Sequence, residues 1–284
     1  MYLLSDILYW VAYRLLGYRK SVVRRNLAAS FPEKGEEERR RIERRFYRHL
    51  CDIMIEGIYN LFASPRSIMK RYHVENRELL NRYYEQGQSV VLMSAHYNSW
   101  EYMVTSLNMQ FFHHGIGVGK PLSNKVLEPW VFRRRTRFGT EVVYADNVRQ
   151  VVDFYHEHKV PCVLMMLSDQ SPAHADKAYW TTFLNQETAF LYGAEHFARK
   201  YNYPVFYYRV DKPRRGRYTV TFKLLCDNPA AVPQYAIEEQ YIRALEADLR
   251  EKPEYWLWSH RRWKLRRPET QPLHTSNPSK PDTL

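Results

Sequence analysis

His96 and Glu101, in the run His96-Tyr97-Asn98-Ser99-Trp100-Glu101, are the side chains of this chain best suited to do chemistry. A carboxylate that fixes one imidazole nitrogen leaves the other free to take a proton from an alcohol. Such a general base supplies roughly 10² to 10⁴ in rate. On one continuous helix, residues five apart point about 140° away from each other. His96 must therefore lie in a turn before the helix if Glu101 is to reach it. Taken alone the pair is weak evidence, because His and Glu at this spacing arise by chance and a buried His is more often structural.

The elements around the pair strengthen it. Ser89 to Ala95 is an apolar run of strand length, as expected for a buried central strand, and a helical stretch follows from Trp100 to Phe112. The alternation continues with strands near 116–118, 141–143 and 160–167 and helices at 125–138, 147–157 and 188–201. Strands near 205–210 and 218–224 flank a basic turn at Arg214, Arg215 and Arg217. This pattern predicts an α/β fold with a mixed or mostly parallel central sheet flanked by helices. Such sheets bind ligands at the carboxyl ends of their strands, where His96 falls. Asp169 and Gln170 follow another buried strand and could line the same cleft. Equally, an Asp in a turn before Pro172 can simply bond its own backbone.

Upstream, residues 36–62 read as one long or two abutting helices, with Arg39, Arg40, Arg41, Arg44, Arg45 and Arg48 crowding the early turns. That run is either a solvated face or an anionic-lipid contact. Residues 1–17 are apolar and aromatic but are interrupted by Asp6 and Arg14. They are too short and too charged to span a bilayer, for which about 20 apolar residues are needed, so an interfacial helix is the better reading. We expect a helical, membrane-associated part at 1–86, a catalytic α/β part of the same domain at 87–267, and a disordered Pro/Ser/Thr-rich tail at 268–284.

Composition narrows the partners. The 43 basic against 31 acidic residues leave a net +12, favouring an anionic partner, and the 23 Tyr and 7 Trp tilt the choice towards a lipid interface. The three cysteines, Cys51, Cys162 and Cys226, show no metal or disulfide spacing, which suits a reducing compartment. No signal peptide is read at the N-terminus. His113-His114 and His156-x-His158 lack accompanying carboxylates or thiols, so they read as surface histidines, not metal ligands. Gly115-Ile-Gly-Val-Gly-Lys120 fails the phosphate-loop pattern, since Pro121 follows the Lys. There is no G-x-S-x-G elbow, and none of the cysteines is marked as a nucleophile. The basic cluster His260, Arg261, Arg262 and Lys264 beside Trp256, Trp258 and Trp263 suits phosphate headgroups. It could also contact nucleic acid, or dock on the domain with its charges solvated.

Segments spread from Leu4 to Pro268 resemble the late lipid A acyltransferases, the lauroyl- and myristoyl-transferase family of Gram-negative bacteria. The resemblance rests on Tyr18-Arg19 with Val23, Asn26-Leu27, Ser30-Phe31-Pro32, and His96 with Glu101 as an H-x4-(D/E) motif. It continues through Lys120-Pro121 with Asn124, Asp169-Gln170, Thr188-Ala189, and Trp258-Ser-His260-Arg261-Arg262-Trp263-Lys264. It implies a fold similar to the glycerol-phosphate acyltransferase type and an enzyme at the cytoplasmic face of the inner membrane. The implied reaction moves an acyl chain from acyl carrier protein directly onto a hydroxyl of a lipid A precursor, with no cofactor or metal. By that likeness His96 is the base and Glu101 its orienting partner. Asn98, Lys120, Asn124, Arg133, Arg134, Asp169, Gln170, Arg261 and Arg262 are then candidates to hold substrate. Family members usually begin with a membrane-spanning helix, in place of which this chain has only the amphipathic segment. Many relatives carry Arg where Lys120 stands, so the charge is kept and the bidentate fork lost. The rival readings are the same chemistry on another glycolipid or an aminolipid, and a non-catalytic basic protein that binds membrane or RNA. No nucleic-acid partner is expected under the first two.

Overall fold

A computed structural model describes residues 1–122 and 124–274. The long strands alternate side chains between two covered faces. Along β2 (Val90–Ser94), Val91 and Met93 enter one core, while Val90 and Leu92 enter another on the opposite face. β5 (Cys162–Leu167) and β8 (Val205–Arg214) divide their residues in the same way. Burial on both faces is why these segments read as continuous apolar runs.

The sheet has seven strands in the order β1 (Tyr72–Val74), β9 (Arg217–Cys226), β8, β2, β5, β3 (His114–Gly119) and β4 (Glu141–Tyr144). Every neighbouring pair is parallel except β8 with β9, which is a hairpin. The mostly parallel α/β sheet expected from the sequence is therefore present. β2 and β5 lie side by side in its middle, so the loops leaving their carboxyl ends emerge next to each other.

Helices cover both faces. α1 (Tyr2–Tyr9) runs through a π-helical turn, Trp10–Leu15, towards α2 (Lys20–Ser30) and the long α3 (Glu36–Asn60). α3 starts with Glu36, Glu37 and Glu38, favourable charges at a helix N-terminus. Its far end is closed by guanidinium groups: Arg134 donates to Leu61 O, and Arg137 to Asn60 O and Ala63 O. α4 (Pro65–Arg71), α5 (Glu78–Glu85) and α6 (Trp100–Gln110) follow, then α7 (Glu128–Thr136), α8 (Val148–Glu157), α9 (Gly193–Tyr201) and α10 (Ala236–Glu251). The buried Glu195 carboxylate caps α10 from outside, accepting from Tyr235 N and Glu238 N.

α1 is an inverted amphipath. Its inner face is polar: Ser5 is buried and donates to Asp52 at 2.6 Å and Tyr2 donates to Glu56, while the exposed Asp6 pairs with Arg215 of the β8–β9 turn. Its outer face is apolar, with Leu3 74% and Ile7 54% exposed, and Trp10 of the following π-helical turn is 62% exposed. Among the described residues, no helix is long and apolar enough to cross a membrane.

Three differences from the sequence reading are local. The expected helix at 188–201 begins only at Gly193, because 186–190 instead forms β7 (Gln186–Phe190), paired with β6 (Tyr179–Phe183). The two residues between them, Leu184 and Asn185, both have positive φ, as a tight hairpin turn requires. His113 is buried, not a surface histidine; its Nε2 faces Gln88 O. Of the expected disordered tail, residues up to His274 are placed, with His274 N donating to Trp180 O, and residues 275–284 lie outside the described set.

Candidate active site

The turn between β2 and α6 carries His96, and the loop after β5 carries Asp169. Adjacency of the two strands brings the side chains together: His96 Nδ1 lies 2.7 Å from Asp169 Oδ1. The other carboxylate oxygen accepts the indole N–H of Trp256 at 2.8 Å. Asp169 is almost fully buried, while the His96 side chain keeps 19% of its surface open. Burial alone would push the carboxyl up; the facing imidazole and the Trp256 N–H more than offset this and leave it below the ordinary carboxylate range. An ionised carboxylate only accepts hydrogen bonds, so Nδ1 must be the N–H of the ring. In the neutral ring Nε2 then carries the lone pair, and the Gln170 side-chain amide stands 3.1 Å from it in position to donate.

The orienting partner of His96 thus differs from the one its sequence spacing suggests. Glu101, in the first turn of α6, points instead to Arg135 of α7 and takes it bidentately, at 2.7 and 3.0 Å. The pair is little exposed and borders a cavity of about 370 Å³. Leu50, Ile53, Met54, Gly57 and Ile58 of α3 line it, with Leu61 just past the helix end and Trp100, Val131 and Leu257 completing the apolar lining. Trp100 links cavity and dyad, since its ring packs edge-on against His96 with centroids 5.0 Å apart.

The turn that presents His96 is held under strain. Asn98 sits at φ 54° and is wholly buried, its amide donating to Val210 O at 2.5 Å. Asn is among the few non-glycine residues that visit this region readily. From the other side, Tyr97 bridges to Trp256, and Asn98 N donates to Tyr255 O. The segment around Trp256 is itself anchored: Asn26 donates to both Trp258 O and His260 O, and Arg19 donates to Ser259 O. The motif residues of α2 therefore support the site without entering it.

The structure sorts the remaining candidates. His96, Asp169 and Gln170 come together, and Asn98 and Glu101 line the adjoining cavity. Arg134 serves the end of α3, and Asn124 bonds Val126 N and Leu127 N at the start of α7. Arg262 is buried, donates to Ala189 O and stacks on Phe190, which corrects its reading as a headgroup contact. Burial pulls its guanidinium down to about 10. Lys120, Arg133 and Arg261 are exposed and outside the cavity lining. Among the described residues no cluster of three metal-ligating side chains occurs. Arg135 and the α3 wall were not foreseen. Arg135 hides in the run Arg133-Arg134-Arg135, where only helix phase separates the residue facing the cavity from its neighbours.

An α/β sheet that offers a carboxylate-held imidazole close to an apolar cavity suits group transfer on a lipid-like substrate. The family model for bacterial lipid A biosynthesis acyltransferases matches residues 2–265, and the chain belongs to that family. It is an acyltransferase of lipid A biosynthesis, which sets aside a purely non-catalytic basic protein. It is 23% identical over 254 residues to a lipid A biosynthesis palmitoleoyltransferase of Escherichia coli (strain K12), covering 87% of this chain and 79% of that protein. A lipid A biosynthesis lauroyltransferase of the same strain is 23% identical over 266 residues, or 92% and 84% of the two chains. A lipid A biosynthesis acyltransferase of Haemophilus influenzae is 24% identical over 257 residues, or 89% and 80%.

Proposed function

We propose that the protein transfers an acyl chain from acyl carrier protein to a hydroxyl of a lipid A precursor, with His96 as general base oriented by Asp169. The observation that carries the reading is an imidazole whose Nδ1 stands 2.7 Å from a buried carboxylate and whose ring packs on Trp100, a lining residue of the apolar cavity. The acceptor O–H gives its proton to His96 Nε2 as its oxygen bonds to the thioester carbonyl carbon. The tetrahedral intermediate then breaks its C–S bond, and the departing thiolate takes the proton back from the imidazolium. No acyl-enzyme forms. Two of the five N–H donors of Arg135 are taken by Glu101, which leaves the others for the carbonyl oxygen or an acceptor phosphate. Glu101 acts by holding that guanidinium, in place of orienting His96.

The acyl chain lies in the cavity along α3. In this reading the fold is of the glycerol-phosphate acyltransferase type, and the protein rests on the cytoplasmic face of the inner membrane through its N-terminal helices. Support comes from the outward apolar face of α1 together with Arg41, Arg44, Arg45 and Arg48, which are exposed on one side of α3. The test is acyl transfer in vitro from acyl carrier protein donors to a lipid A precursor, read by mass spectrometry. The wild type adds one acyl chain to the precursor, and His96→Ala does not although it remains folded. A wild-type protein inert towards every such pair would refute the reading.

A further inference from the structure

Three indoles lie within eight residues of one another in the C-terminal segment, and their N–H groups go to different places. Trp258 donates to Pro253 O at 2.6 Å and Trp263 to Thr188 Oγ1 at 2.8 Å, both contacts internal to the scaffold. Trp256 alone gives its N–H to the site, on the carboxylate oxygen of Asp169 turned away from His96. Its ring is buried against Phe183, Trp258 and Trp263, so the donor cannot swing aside.

We infer that Trp256 is a positioning residue of acyl transfer, acting through Asp169 to fix which nitrogen of His96 bears the proton. The inference rests on the reading of His96 as the base. An indole N–H donates and never accepts, and it does not titrate. Asp169 is thereby obliged to accept on Oδ2, and together with the His96 backbone N–H, which also reaches the carboxyl, this sets the carboxylate plane and turns Oδ1 to Nδ1–H. Without Trp256, Oδ2 would lose its indole donor in a buried place, and the carboxylate would be freer to rotate or to take a proton. Either change releases the imidazole from the tautomer whose Nε2 is basic. The same donor helps to hold the Asp169 carboxyl low, so its loss allows protonation at higher pH.

Two variants test this. Trp256→Phe keeps a ring in the core and removes the N–H. Replacement of Trp256 by the benzothiophene analogue of tryptophan, in which sulfur takes the place of N–H, preserves shape almost completely. A hydrogen bond to a charged group corresponds to about tenfold or more. We expect kcat to fall about tenfold in both variants with KM unchanged, and the acid limb of the pH profile to move to higher pH. The imidazole ¹⁵N spectrum of resting enzyme, which needs no substrate, should move from a single Nδ1–H form towards a mixture. Unchanged kcat and spectrum in the benzothiophene variant would overturn the inference. So would a loss of kcat that tracks a lower Tm with the acid limb unmoved, since that describes packing alone. A fully active His96→Ala enzyme would instead defeat the reading of the base itself, and the ¹⁵N spectrum separates the two failures.

Discussion

Replacing Asp169 by Asn changes one atom type and should reverse the polarity of the site. The Asn side chain has one acceptor and one donor end where the carboxylate had two acceptors. The Trp256 N–H needs an acceptor, and leaving it unpaired in so buried a place costs about 1–3 kcal/mol. The Asn oxygen therefore turns to Trp256 and its NH₂ faces His96, from which Asp169 now accepts at 2.7 Å. Facing a donor, Nδ1 must carry the lone pair, and the proton moves to Nε2, where the base is required. The rate advantage of the base, roughly 10² to 10⁴, should vanish from kcat, while KM for the acyl donor stays near its wild-type value because the cavity is untouched. The assay is steady-state transfer with a defined acyl carrier protein donor, paired with ¹⁵N spectroscopy of the imidazole. A variant within threefold of wild type, or one that is inactive yet keeps the proton on Nδ1, would refute the reasoning.

Other predictions follow from separate parts of the structure. Glu101→Gln breaks the bidentate pair with Arg135 without emptying space; kcat should fall while the ¹⁵N spectrum of His96 stays as in wild type, and a changed tautomer would restore Glu101 as the orienting group. Gly57 faces the cavity with no atom within 4 Å of where a Cβ would stand, so Gly57→Leu should fold. It should reject the longest donors first, at about 0.8 kcal/mol per displaced methylene, and an unaltered chain-length profile would remove the cavity as the acyl site. Leu3→Asp with Trp10→Asp places two charges on the outer face near α1; each lost apolar insertion costs about 1.5–3 kcal/mol, so sedimentation with anionic vesicles should weaken about a hundredfold or more with Tm preserved. Burial pulls the His113 imidazole down to about 4, from an ordinary 6.5. The unfolded chain therefore binds a proton that the folded one refuses between those values. Stability should decline as pH falls through that window, by up to about 1.4 kcal/mol per pH unit for this group, and the decline should be shallower in His113→Gln.

Much of the fold could be read from the chain because β2, β5 and β8 are buried on both faces and so leave unbroken apolar runs. The β6–β7 hairpin escaped because its turn is Leu184-Asn185, without the glycine that usually marks a positive-φ turn. α10, capped by the distant Glu195, was not expected at all, since its N-terminal signal lies about forty residues away. Within the site, His96 and its location in the turn before α6 were legible, and so was Asp169 as a neighbour. Their pairing was not, because it depends on β5 lying next to β2, a matter of strand order that sequence spacing does not encode. Glu101 stood close in sequence and drew the assignment that geometry gives to Asp169, in the loop after another strand. Arg262 misled for a related reason: a cation beside tryptophans reads as an interface, whereas here its charge is packed on Phe190 and a backbone carbonyl.

The central claim is that His96 takes the acceptor's proton, and single-turnover transfer by His96→Gln at saturating donor and acceptor tests it with binding removed from the comparison. A first-order rate at least about a hundredfold below wild type, in a protein of unchanged Tm, is the result this account predicts. A rate within a few-fold of wild type would contradict it.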